Sequence, residues 1–128
     1  MSNFNAAGFT DLRQYITSTN GWTHVALIDD AGNEETRIDI HNDSRASWSD
    51  ASTNPTDLTI TLSGSDSDIA APVTLERAEL HPSSSSTTAM HDGPLQGEID
   101  GTLQAAAVTI GSDTDEGTVT YTVELPTQ

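Results

Sequence analysis

The chain contains no cysteine and no lysine. Without cysteine there is no disulfide scaffold, no thiolate zinc site and no cysteine nucleophile. Without lysine, 4 arginines are the only permanent side-chain cations against 20 Asp and Glu, and the formal net charge is −16. So acidic a balance argues against a nucleic-acid backbone or an anionic membrane as partner. Hydrophobic residues make up 34%, against a usual value of about 45–50%. No apolar run approaches the ~18 residues of a membrane-spanning helix. No basic region leads into an apolar stretch, so a signal peptide is not expected. The 128 residues are enough for one modest core, and a single domain over 1–128 is expected.

Leu, Ile, Val and Phe total 24 residues, just under the roughly 20% level that accompanies disorder in highly charged chains. Their periodicity argues for a folded domain instead. The acid is spread from Asp11 to Glu124 rather than gathered in one block, unlike an acidic tail. This pattern suits molar salt. At ~1 M the Debye length is ~3 Å, so carboxylate repulsion is screened while hydration keeps the chain soluble. A halophilic origin is expected, and the domain should loosen when salt is removed.

One helix is predicted, over about 5–19. Asn5 is a candidate N-cap and Gly21 a candidate stop. Phe9, Leu12 and Ile16 share one helical face, and Phe4 and Phe9 stand at hydrophobic-staple positions. Strands follow. Residues 22–28 form a mostly apolar run fit for burial on both faces. Asp29 to Asn33 is turn chemistry, and Thr36, Ile38 and Ile40 then alternate with Glu35, Arg37 and Asp39, which together make a hairpin. Residues 41–56 read as polar and irregular around Trp48. Leu58, Ile60 and Leu62 alternate cleanly, and 63–68 is a loop. The pattern Val73–Leu75 slips to Ala78–Leu80, which predicts a bulge near Glu76 and Arg77. Pro82 to Pro94, with four consecutive serines, reads as a protruding loop. Leu95, Gly97, Ile99, Gly101 and Leu103 continue a period of two, then Val108 and Ile110, then an acidic turn over 111–117. Val119, Tyr121, Val123 and Leu125 make the cleanest half-buried strand. Seven or eight short strands after one helix predict a mainly β fold: an antiparallel β-sandwich or jelly-roll-like domain with one short N-terminal α-helix.

Motifs with chemistry are sparse. Four histidines, His24, His41, His81 and His91, match no metal spacing and read as surface or turn residues. His41 sits in DIHND, beside Asp39 and Asp43. Asp113, Asp115 and Glu124 have EF-hand spacing, but Thr118 stands where that loop needs glycine. Candidate ligands for a structural divalent cation are therefore Asp66, Asp68, Asp113, Asp115 and His41; no other cofactor is expected. No nucleophile elbow, P-loop or dinucleotide fingerprint occurs, and no enzyme is expected. Arg45 and Trp48 are candidate interface residues because Arg and Trp are enriched in hot spots, with Phe4 and Phe9 on the helix side. Trp48 reads equally as the closure of its own core. A core this lean gains from burying more surface in a homo-oligomer.

The order of elements carries a resemblance. A helix (NAAGFTDLRQYI) leads to a Trp-containing strand (GWTHVALIDDAGNE), a strand with Arg (ETRIDI) and a Trp loop. DLTITLSG, PVTLERAELH, a Ser-rich loop, GEIDGTL and GTVTYTVEL follow. This resembles the small head-fibre or tail-fibre-like virion proteins of tailed viruses, and the acidic composition directs the resemblance to viruses of halophilic archaea. The resemblance implies a non-enzymatic β-sandwich that self-associates and joins other virion proteins such as a capsid shell protein, assembled in the host cytoplasm. It carries over no catalytic residue. At 128 residues no separate fibre shaft is expected, and a capsid decoration or turret subunit is expected ahead of a tail, baseplate or adhesion component. The alternative from another class is a cellular halophilic module that binds glycan or cation.

Overall fold

The computed structural model describes residues 5–49 and 55–124. Helix α1 spans Ala6–Thr17, with Asn5 at its N-cap in extended conformation but making no side-chain cap bond. It ends two residues short of the expected 19. The Ser18 hydroxyl and N–H both donate to the Tyr15 carbonyl. Trp22 N–H then donates to the Ile16 carbonyl, which folds the chain back across the last turn. Gly21 permits this: a Cβ there would lie 1.9 Å from the Tyr15 oxygen. The inward face differs from the expected one. Arg13 and Ile16 are buried, whereas Leu12 is 36% exposed. The arginine's aliphatic stem lets it take an inward position that binary patterning assigns to an apolar residue.

Nine strands follow: β1 His24–Asp29, β2 Glu34–Asp39, β3 Ala46–Trp48, β4 Thr56–Ser63, β5 Val73–His81, β6 His91–Ile99, β7 Thr102–Ala106, β8 Val108–Ile110 and β9 Glu116–Val123. All pairings are antiparallel. The order is β2-β1-β5-β6-β9-β4-β3, with β7 added to β6 and β8 to β5. The fold is thus mainly β, one curled antiparallel sheet with a single helix near the N-terminus, as expected. One core cluster draws on β1, β2, β3, β4, β5, β6, β8 and β9, so the two halves of the sheet face each other across it.

Strands β1, β5 and β6 hold the sheet together where it curls. In β1, Val25, Ala26, Leu27 and Ile28 are all buried, as the apolar run predicts. In β5 the bulge is present: Ile28 pairs with Arg77 and Asp29 with Leu75, leaving Glu76 as the extra residue. There β5 also exchanges one partner, with 73–75 beside β8 and 77–80 beside β6. Strand β6 spans both halves, its 91–94 segment on β5 and its 96–99 segment on β9. Pro94, which has no N–H to donate, stands where one ladder ends and the next has not begun.

Three sequence expectations are corrected. Residues 46–48 are a short edge strand on β4 rather than irregular chain; three residues are too few to show a period. The Ser-rich loop ends at Met90, because 91–94 belong to β6. The alternation Leu95 to Leu103 runs through a hairpin. Asp100 and Gly101 have φ of 50° and 82°, the two left-handed positions of a type I′ turn, and Leu103 beyond it is 72% exposed.

Candidate functional site

The two outer strands of the sheet, β2 and β3, come together at a charged clasp. Arg45, just before β3, bonds Asp43 Oδ2 at 2.7 Å, Asp68 at 2.8 and 2.9 Å, and Asp66 Oδ2 at 3.2 Å. Thr36 on β2 donates to Asp68 Oδ2 at 2.6 Å, and Ala70 N–H donates to Glu35 Oε2 at 2.7 Å. The 64–72 loop is thereby tied to both edges. Hydrogen bonds from Arg45, then from Thr36, hold Asp68 at about 2. The same guanidinium lowers Asp43, and these carboxylates raise Arg45 in turn.

This arrangement redirects several expected roles. Asp66 and Asp68 do converge on a cation, but it is the chain's own guanidinium, planar and bidentate. Arg45 is engaged by three carboxylates of its own chain. Trp48 packs against the core, and its buried Nε1 has no hydrogen-bond partner among the described residues. Phe9 is half-buried on α1, and Phe4 lies outside the described residues. Asp115 accepts from Gly111 and Ser112 N–H groups, which lower its pKa, and so closes its own turn. Asp113 lies in that turn, and exposed His41 directs Nε2 at the Ser18 carbonyl, 3.2 Å away. Among the described residues no three of His, Cys, Asp and Glu converge as a metal site.

The histidines depart most from expectation. His81, read as a surface residue, is buried. Its Nε2 lies 3.2 Å from Glu79 Oε1 and 3.4 Å from Arg37 Nη2, and its Nδ1 lies 3.3 Å from Ser86 Oγ. Arg37 Nη1 donates to the carbonyls of Ser83, Ser84 and Ser86, while Nη2 pairs with Glu34 at 2.8 Å. The serine tract is therefore strapped down over the outer face of β1, β2 and β5 rather than protruding freely. Next to it Arg77 bridges Glu79 and Asp92. The signal in the sequence is slight: Arg37, Glu79 and His81 occupy outward strand positions that nothing local marks as covered.

His91 is also half-buried. It stacks on Trp22 with centroids 6.2 Å apart and meets Tyr121 edge-on, with its Nδ1 hydrogen-bonded to the Tyr121 hydroxyl. Burial lowers His91 and, with the nearby Asp92 and Glu79 charges, raises Tyr121. Both are therefore neutral near pH 7, with one proton between them. Beyond the Gln96–Thr120 pair, β6 and β9 part. The resulting open groove, about 510 Å³, is lined by His91, Asp92, Gln96, Thr120 and Thr122 among others. It offers hydrogen-bond donors and acceptors.

Exposed apolar surface lies elsewhere. Leu12 and Tyr15, the latter 55% exposed, share the outer face of α1; Leu103 stands on β7 and Met90 before β6. No helix is long and apolar enough to cross a membrane among the described residues. The chain matches no protein-family model, no curated protein and no solved structure.

Proposed function

We propose that the chain is a non-enzymatic structural subunit of a virion, a capsid decoration or turret protein of a tailed virus of halophilic archaea. One observation carries this reading. Each of the four arginines is bound within its own chain: Arg13 to Thr10, Arg37 to the serine strap, Arg45 to the clasp, and Arg77 to Glu79 and Asp92. The remaining surface is anionic and interrupted by the apolar face of Leu12 and Tyr15. Such a surface suits docking by apolar contact in molar salt, where electrostatic attraction to a partner is screened. The order of elements supports the same reading. On it, α1 faces the shell, and the acidic turns at 100 and 111–115 face solvent.

The test is recovery of the tagged protein from its host in molar salt, with mass spectrometry of whatever co-purifies. A major capsid protein is the expected companion. Tail-tube or baseplate proteins would transfer the role to the tail, and absence of any virion component would overturn the reading. The double variant Leu12→Glu/Tyr15→Glu should fold normally and fail to incorporate. The β6–β9 groove favours a second reading, a cellular module that binds a neutral glycan, checked by titration with oligosaccharides.

A further inference from the structure

We infer that the free edge of β7 pairs with β7 of a second copy, making a two-fold dimer with a continuous antiparallel sheet. This deepens the assembly reading above by naming where the chain meets itself.

Sheet edges with unpaired backbone groups template pairing unless they are blunted by charge, proline or a cover. The other edges of this sheet are blunted. Strand β2 carries Glu34, Glu35 and Asp39, and β3 is three residues long behind the Arg45 clasp. The free side of β8 is filled by the Gln104 carboxamide, which accepts from Thr109 N–H at 2.6 Å and donates to its carbonyl at 3.4 Å. Strand β7, Thr102–Ala106, is different. Among the described residues it pairs with β6 alone; it contains no charged residue and holds Leu103 72% exposed.

Charge selects the occupant. A cationic partner would be drawn to the carboxylates elsewhere on a chain of net charge −16, not to an uncharged strand. A second copy meets fewer carboxylates here than at β2: Glu98, opposite Leu103 on β6, is the one acidic side chain in register with β7. Antiparallel pairing of one strand with itself is also self-complementary, as a two-fold interface requires. With the axis near Gln104, Leu103 of each copy lies diagonal to its counterpart, roughly 7–8 Å away. The two Asp100 turns fall at opposite ends, on the order of 27 Å apart along the strands, far beyond the Debye length of molar salt.

Sedimentation equilibrium of the full chain in ~3 M NaCl tests this, with wild type, Leu103→Glu, Thr102→Lys and Leu12→Glu compared. Wild type and Leu12→Glu should dimerise. Leu103→Glu should raise the dimer dissociation constant by about 100-fold, and Thr102→Lys should do so in the same direction. Position 103 is solvent-facing in the single chain, so its variant should melt like wild type at concentrations where both are monomeric. A wild type that stays monomeric at every concentration overturns the inference, as does a dimer that survives Leu103→Glu. Its failure is distinguishable from failure of the virion reading. A dimer broken at β7 with no virion protein co-purifying leaves the inference standing alone, and a monomer that co-purifies with shell protein leaves the virion reading standing alone.

Discussion

Replacing Arg45 by methionine tests the clasp that joins β2 to β3. The substitution keeps the stem and removes the guanidinium, leaving Asp43, Asp66 and Asp68 facing one another. Asp68 is held at about 2 in the folded chain against 3.8 ordinarily, which corresponds to at most roughly 2.4 kcal/mol. Its side chain is 34% exposed, so solvent screening brings that share to about 1 kcal/mol. Loss of the Asp43 and Asp66 bonds, and the repulsion left behind, bring the expected destabilisation to about 2 kcal/mol. At about 2.1 cal/mol/K per residue, a chain of 128 residues then melts about 7 °C lower. The sign with pH follows from the lowered carboxylate. Its stabilisation is present above the unfolded value and is lost as pH falls from about 4 to about 2. Thermal unfolding at low salt should show the full deficit near neutrality, a smaller one in ~3 M NaCl where repulsion is screened, and none below about pH 2. Adding Asp66→Asn should recover part of the loss. Wild-type melting in the variant at low salt, or a deficit that persists below about pH 2, would refute the reasoning.

Wild type itself should melt higher in ~3 M than in ~0.1 M NaCl, and a flat salt profile would count against halophilic adaptation. Gly117→Ala should cost about 3 kcal/mol or prevent folding, since its Cβ would lie 2.1 Å from the Glu98 oxygen; a melt within about 2 °C of wild type would sink this. His91→Phe should flatten the stability profile as pH falls below about 7. A histidine held low by burial contributes stability above its unfolded value and loses it as pH falls through the folded one, so an unchanged slope in that variant would contradict the assignment. Arg37→Gln should free the serine strap and admit protease between residues 83 and 88; resistance equal to wild type would show that the three serine carbonyls hold the loop without it.

The sequence by itself determined the class of fold, because burial with a period of two is a local signal. Leu58, Ile60 and Leu62, and again Val119, Tyr121 and Val123, show it without any tertiary information. The bulge at Glu76 was legible for the same reason: a slipped register displaces the apolar set visibly along the chain. Local rules stopped where backbone geometry or a distant partner decides. The alternation through Leu103 read as one strand because period two survives a two-residue turn, although Asp100-Gly101 was the signal that should have divided it. The roles of Arg45, Asp66 and Asp68 were open in the sequence, since carboxylates near a cation site and carboxylates around an arginine are spelled alike. Only the curl of the sheet, which brings residues 43–45 against 66–68 and β2, sets these carboxylates around the arginine. The same holds for His81 and His91. Their spacing says nothing of burial, and the fold covers one with a serine strap and sets the other between Trp22 and Tyr121. Acidity was written in the composition; that all four arginines are engaged inside the chain was decided by tertiary structure.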